Sequence, residues 1–478
     1  FMKNLFRKIG FGLRPDEKIP SDPLKWALNQ LDEIPPFSWQ GNIPTEKELR
    51  KLYGKYIYND RKKLRKKFKK DKQGYQKAKD KLRHETGQKY WKNLELSIRH
   101  KEAIASNVPV LTRLWYFWGN HFTISDKDHL KDYTTGAYHR ETIRSNLNQT
   151  FEKMVYDATT SWAMILHLDN TDNEGPNSKG ALEPWRKKEN KPATINENHA
   201  RELLELHTVS PNAGYTQEDI IQLAYIMTGW GYKWSKTSLE TGNVWFLPKV
   251  HQPGKKTVFN KEYKSGRKGL STVIKDLANH PSCREFIAIK LCRHFITDEP
   301  TKEMIKPIVV AWEKSGGFLP EVHKAAIKVA FEHQSKHNKF QVPENWFLQM
   351  VKMADMDWPA SETMMDNYVL GTKPGGIHRR SERVLKELGH SPYLSKQPNG
   401  WPDNQADWLS PELLIRRLIL ARKSWYYMKT NRKNLETYEK IVSNNFDKPE
   451  TILDLLSKKD QLQDKHTLLF NSPEMLKA

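Results

Sequence analysis

The most chemically loaded stretch of this 478-residue chain is Asn196-Glu197-Asn198-His199-Ala200-Arg201-Glu202-Leu203-Leu204-Glu205-Leu206-His207-Thr208. Thr194, followed three residues later by Glu197, has the form of a capping box, so a helix is expected to start just after the Pro192 loop. At 100° per residue, Glu197, Asn198, Arg201, Glu202, Glu205 and Thr208 fall within an arc of about 140°, with Ala200, Leu203, Leu204, Leu206 and His207 opposite. Glu202 and Glu205, one turn apart, could present two carboxylates to a divalent metal or divide the roles of acid and base. Arg201 could then bind an anion or hold a carboxyl pKa down. The pattern equally fits a solvated face on which Glu197–Arg201 and Arg201–Glu205 are ordinary i,i+4 pairs. His207, on the apolar side, reads as a hydrogen-bonded core histidine.

A second pair, Asn120-His121, ends an aromatic helix. It could bind a metal, an anion or a sugar hydroxyl, or only cap the helix and meet its free carbonyls. The expected site thus has Glu202, Glu205, Arg201 and His121 in the chemistry, and Asn120, Asn196, Asn198, Trp230 and His251 on the substrate side. His251 follows Trp245 and Phe246 in a long loop opened by Trp230; it could close over a pocket, or be a plain surface histidine. The oxygen-rich run from Asn170 to Gly175 has the first half of a calcium loop. Its twelfth position is Ala181, where a bidentate glutamate is required, so it reads as an acidic turn. Asp403, after Gly400-Trp401-Pro402, reads first as turn and cap, and second as a site carboxylate. GxxxxGK(S/T), HExxH, GxSxG, GxGxxG and paired CxxC are absent. The common nucleotide, zinc-protease, serine-hydrolase and zinc-finger chemistries therefore have no sequence support.

Helices must position these residues. Thr45 and Glu48 form a capping box ahead of a helix or helix pair running to about His100, and Val110 to Phe122 is an aromatic helix. Further helices are predicted over 24–31, 139–168, 195–208, 217–228, 271–295, 302–314, 320–333, 343–354, 380–388 and 411–423. Strands are confined to 244–247 and 257–259, which could pair as one hairpin. Two irregular segments, 170–194 and 230–269, interrupt the helices. The class is mainly α: an irregular multi-helix assembly with long loops and at most a small β-hairpin.

With 37% hydrophobic, 11% aromatic and 28% charged residues the chain is globular, despite a mean hydropathy of −0.79. The charge of +22 would attract nucleic acid, anionic polysaccharide or acidic membrane. Half of it lies in residues 61–83, where thirteen basic residues face only Asp71 and Asp80 along a stripe of Leu64, Phe68, Tyr75 and Leu82. No specific nucleic-acid-binding fold is recognisable. No apolar window reaches the length of a membrane span. Residues 1–7 lack the apolar stretch of a signal peptide, which leaves export open. Cys283 and Cys292, on one helix, would stand roughly 13 Å apart, too far for a disulfide, so free thiols are expected.

Several blocks together resemble the DUF1800 family: an Ile-Gly-Phe-Gly opening, Trp118-Gly119-Asn120-His121-Phe122, Ile165 to Asn170, the 196–208 stretch, Gly214 to Asp219, Thr228-Gly229-Trp230, His280-Pro281, Lys290-Leu291-Cys292-Arg293-His294-Phe295 and Pro398 to Asp403. Their order suits the family over roughly residues 5 to 425, leaving 426–478 as a tail outside the resemblance. His199 stands where the family more often has an aromatic, and the 61–83 stretch is more basic than usual. The resemblance implies a bacterial protein, exported or in the cell envelope by family habit, and gives no reaction. The divisions expected are 1–44 (turn and short helix), 45–108 (basic helical rod), 109–300 (the motif-bearing region), 301–425 (a C-terminal helical region) and the tail. The function expected is an enzyme with an acid–base or metal-assisted polar site, a hydrolase among the options, on an anionic or carbohydrate substrate. The alternatives are a non-enzymatic binder of anionic polymers, using the 61–83 rod, and an assembly protein of the cell envelope. Substrate, metal and oligomeric state are left open.

Overall fold

The computed structural model describes residues 2–127, 129–232, 244–336, 338–368 and 376–478. Helices hold 61% of it and strands 4%, which is the mainly helical class that the periodicity predicts.

Two consecutive helices, Gln88–Ala105 and Pro109–His121, run through the centre. Every residue of the second is buried except Asn120, as suits a helix that is apolar on all sides. Trp115 and Trp118 are fully enclosed. Their indole N–H groups donate to His139 O (2.6 Å) and His323 Nε2 (2.9 Å), the partners that buried indoles need. The Gln88–Ala105 helix carries charge into the interior. Glu95 pairs with Arg140 (2.7 Å), Arg99 with Glu344 (2.7 Å) and Glu102 with Arg144 (3.1 Å).

Runs that the periodicity predicts as single helices break where the sequence supplies caps. Within 139–168 the Thr150 hydroxyl accepts from Lys153 N (3.2 Å) and the Ser161 hydroxyl from Met164 N (3.3 Å), opening helices Phe151–Thr159 and Trp162–His167. The 271–295 run divides at His280, whose Nδ1 accepts from Ser282 N (3.1 Å), with Pro281 opening helix Pro281–Phe295. Cys283 and Cys292 share that helix as buried free thiols. The Thr45–Glu48 capping box forms. The basic rod is two helices, Arg61–Lys67 and Lys72–Glu85, parted where Asp71 accepts from Gly74 N (2.8 Å).

The two predicted strands do not pair with each other. Val244–Phe246 pairs antiparallel with Trp230–Tyr232, and Lys256–Val258 with Lys261–Tyr263. The second ribbon turns through Phe259 and Asn260, both at positive φ, a tight reversal that takes its strand out of reach of the first.

The segment beyond 425 is no loose tail. It folds as helices Leu435–Asn445, Pro449–Ser457, Leu462–Phe470 and Pro473–Leu476. One continuous apolar cluster runs from Leu5 to Met475. The buried Arg7 guanidinium stitches the two ends together, donating to the carbonyls of Asn445 (3.2 Å), Glu474 (3.0 Å) and Lys477 (3.0 Å) and to Asn4 Oδ1 (2.7 Å). Arg113 in turn donates to Arg7 O (3.1 Å) and Gly10 O (2.9 Å), carbonyls left free at the end of helix Leu5–Lys8. Arg7→Ala should strand the carbonyls of Asn445, Glu474 and Lys477 and cost roughly 3–5 kcal/mol, read as a lower urea midpoint; an unchanged midpoint would contradict the stitching role.

Candidate active site

The C-terminal end of helix Pro109–His121 opens on a cavity of about 750 Å³, a size typical of small-molecule sites. Five separate parts of the chain wall it: residues between Arg99 and His139, Leu206, Phe286–Glu299, Val342–Asn345, and His390–Asp407.

Two side chains at the wall form a proton-sharing pair. His121 Nε2 lies 3.1 Å from the His207 carbonyl, so that nitrogen carries the hydrogen. Nδ1 is then an acceptor, and Lys290 Nζ stands 2.8 Å from it. Burial first, then the Lys290 charge and His207, hold His121 well below the usual imidazole range, which keeps it neutral. Burial also pulls the Lys290 ammonium down to about 8, with Asp403 opposing and Arg293 assisting the fall.

A second pair joins the same helix to the 399–407 loop. His294 Nδ1 donates to Asp403 Oδ2 (2.7 Å), while Nε2 faces Arg113 Nη2 at 3.5 Å. Both ring nitrogens are thereby engaged, and His294, itself on the cavity wall, fixes Asp403. Lys339 Nζ adds a hydrogen bond to Asp403 O (2.7 Å) and stands 3.6 Å from Oδ1. Burial alone would raise the Asp403 carboxyl, but His294 and Lys339 outweigh it and hold it well below the usual carboxylate range.

Asn120 is the hinge pin of this arrangement. Its Nδ2 donates to Trp401 O and its Oδ1 accepts from Trp401 N, each at 2.8 Å. Gly400 sits at φ +73°, and a Cβ there would come within 2.6 Å of Asn120 O, so only glycine permits the approach. Trp401 and Trp408 then stand edge-on and tilted to His390, at ring distances of 5.3 and 5.0 Å, with Trp401 on the cavity wall. His390 Nδ1 accepts from Glu344 N (3.2 Å).

Of the side chains that the sequence pattern singles out, Asn120, His121 and Asp403, the last read only second as a site carboxylate, line the cavity; Arg201, Glu202, Glu205, Asn196, Asn198, Trp230 and His251 are not among its lining residues. The cavity that carries His121 is thus walled by residues other than the Glu202/Glu205 face. Arg201 pairs with Glu197 (2.8 Å) and meets Gln217 (3.3 Å), half exposed, so this face carries an ordinary i,i+4 pair. Glu202 and Glu205 lie close enough that Glu205 joins burial in raising the Glu202 carboxyl. The helix is α-helical only over Asn198–Glu202 and closes with a wider π-turn over Leu203–His207. It touches His121 through the His207 carbonyl, and Leu206 is the residue that lines the cavity. Its first amide, Asn198 N, is capped by Asn196 Oδ1 (3.0 Å) in place of Thr194. His207 is buried, as expected. Trp230 is enclosed in the first ribbon. His251 holds its loop, Nδ1 donating to Thr228 O (2.8 Å) and Nε2 accepting from Gly266 N (3.0 Å), so it is no lid. Among the described residues, no three His, Cys, Asp or Glu side chains gather as a metal ion would require.

Lys290 and His294 had a legible signal: they lie four apart on one helix face, in a motif block beside the two cysteines. Arg99, His139, Glu344 and His390 had none, because their neighbours in space are remote in sequence.

Gly400→Ala should break the Asn120–Trp401 clamp and cost roughly 1–3 kcal/mol through strain and lost hydrogen bonds, exposing residues 391–408 to limited proteolysis. Wild-type resistance in that variant would refute the clamp.

Residues 4–477 match the family model described as "Protein of unknown function (DUF1800)", a match that includes the segment beyond 425 which the sequence blocks leave out. No curated protein and no solved structure matches the chain. With essentially its whole length covered, the chain belongs to the DUF1800 family.

Proposed function

We propose that this chain is an acid–base enzyme whose cavity admits a small polar substrate, anionic or carbohydrate, and that Lys290 is the group that moves the proton. The observation that carries this reading is the Lys290 amine held 2.8 Å from a neutral His121 on the wall of the cavity. One amine hydrogen is committed to His121 Nδ1, which orients the nitrogen. With its ammonium brought down to about 8, both protonation states are populated near neutral pH, the condition for efficient proton transfer. Asp403, kept ionised by His294 and Lys339, supplies a fixed negative charge on the opposite loop, suited to a substrate hydroxyl or a developing cation. Lys290 and Arg293 offer positive charge, and Trp401 offers an aromatic face.

The test is a turnover screen over glycosides, phosphate esters and lactones, followed by Lys290→Met. The variant should lose roughly 10²–10⁴-fold in rate while keeping its thermal midpoint. If Lys290 acts as the base, its neutral form is the active one, so the wild-type rate should rise as pH passes through about 8. Full activity in Lys290→Met would sink the assignment.

A second reading rests on a different surface and is compatible with the first. No residue of helices Arg61–Lys67 and Lys72–Glu85 is buried. Among the described residues, the ion pairs of 61–83 are Lys81–Glu85 (3.6 Å) and Arg83–Asp80 (3.9 Å). Such an uncompensated basic ridge supports binding of an anionic polymer by counterion release. Retention on heparin should fall steeply with salt, and earlier still when Lys62, Lys63, Lys66, Lys67, Lys69 and Lys70 are changed to Gln; salt-insensitive retention would count against it.

A further inference from the structure

Beside the cavity stand three polar side chains that the protein itself leaves unsatisfied, Arg99 and His139 on its wall and Tyr393 packed against them. Arg99, His139 and Tyr393 are 3%, 1% and 1% exposed. Arg99 Nη1, both His139 ring nitrogens and Tyr393 Oη have no hydrogen-bond partner. The three are neighbours. The His139 and Tyr393 rings meet edge to face at 5.0 Å, and the Arg99 guanidinium lies 5.7 Å from the Tyr393 ring. Arg99 and His139 both line the cavity. Gly119 makes room for the imidazole, since a Cβ there would fall 2.4 Å from His139 Nδ1. Buried polar groups are almost always paired, and several unpaired ones beside a cavity need an explanation.

The charge at this cluster is already balanced. Arg99 makes a two-pronged ion pair with Glu344, at 2.7 and 3.3 Å, so the pair is neutral overall and Arg99 still has a free N–H to offer. His139 is neutral, held down to about 3 by burial and by the Arg99 charge; a neutral imidazole has one donor and one acceptor. Tyr393 Oη both donates and accepts. A carboxylate or phosphate would bring a bare charge and acceptors only, and would compete with Glu344 for Arg99. A hydroxyl donates and accepts as the cluster does.

We propose that Arg99, His139 and Tyr393 form a hydroxyl-recognition subsite, binding the neutral, hydroxyl-bearing end of a sugar or other polyol at the wall of the cavity. This rests on the reading above only in placing the ligand in the same cavity, and it narrows the substrate to a carbohydrate-like molecule with its uncharged end against this subsite.

The test uses full-length protein labelled with ¹⁵N at histidine, titrated separately with glycerol, glucose, N-acetylglucosamine and maltose, and with acetate and inorganic phosphate as anionic counterparts. The His139 ring resonances should move with at least one neutral polyol and stay in place with either anion. Tyr393→Phe removes a hydroxyl with no protein partner, so its thermal midpoint should hold or rise. It should nonetheless weaken the responding polyol by roughly tenfold or more, because the ligand hydroxyl loses its match. His139→Phe, followed by isothermal titration calorimetry with the responding polyol, should weaken binding by roughly tenfold or more. The proposal falls if no polyol moves His139, if the anions move it and the polyols do not, or if Tyr393→Phe binds the polyol as tightly as wild type, the result expected were ordered water alone the partner. Lys290→Met separates the two claims. Loss of turnover with polyol binding intact supports both, and retained turnover with a polyol-sensitive His139 removes the proton-transfer role and leaves the subsite standing.

Discussion

The paired hydrogen bonds between the Asn120 side chain and the backbone of Trp401 are the constraint on which the cavity depends. Asn120 is the one residue of its helix that escapes the core. It is held in place by twelve buried neighbours on that helix, so its amide group is as fixed as a backbone unit. Through it a rigid interior element grips a loop nearly three hundred residues later in the chain. The loop then carries Trp401 and Asp403 to the face that helix Pro281–Phe295 supplies with Lys290 and His294. Without the clamp, Asp403 would have only His294 and Lys339 to place it.

Burying so many ionisable groups is costly, and the chain offsets the cost by pairing. Glu95, Arg99 and Glu102 follow one another along the central helix, and each has an opposite charge within 3.1 Å. Such pairs need add little net stability, but removing one partner leaves an uncompensated charge. Groups left less fully paired occur elsewhere, as at Lys352 and Arg417, and the cavity brings several of them together: a lysine brought down to about 8, neutral histidines, and a guanidinium with one unpaired N–H. Perturbed groups that cluster in a cleft are a mark of function.

Much of the fold was legible from local rules. The Thr45 capping box, the apolar helix from 109, the free cysteines and the helical class follow from spacing and composition alone. Break points at Thr150, Ser161 and His280 escaped a periodicity reading, because a hydroxyl or imidazole cap interrupts a helix without disturbing its apolar pattern. Strand pairing escaped it as well, because register depends on turns that bring in other strands. At the site, Asn120 and His121 were readable and the Glu202–Glu205 face pointed elsewhere, since a charged helix stripe looks alike whether it faces water or a cleft. The rich aromatic content went chiefly into the core: Trp115, Trp118, Trp312 and Trp346 are among the largest enclosed side chains.

The cavity draws its walls from residues near 99–139, 206, 286–299, 342–345 and 390–407, and its supporting lysine, Lys339, is itself paired through its backbone with Ala478 (2.6 and 2.9 Å). Contacts this distant in sequence form late, after loop closure has been overcome. Asp403 and Lys290 can therefore face each other only after segments from residue 99 through residue 407, and the Lys339–Ala478 pairing that supports them, have come together.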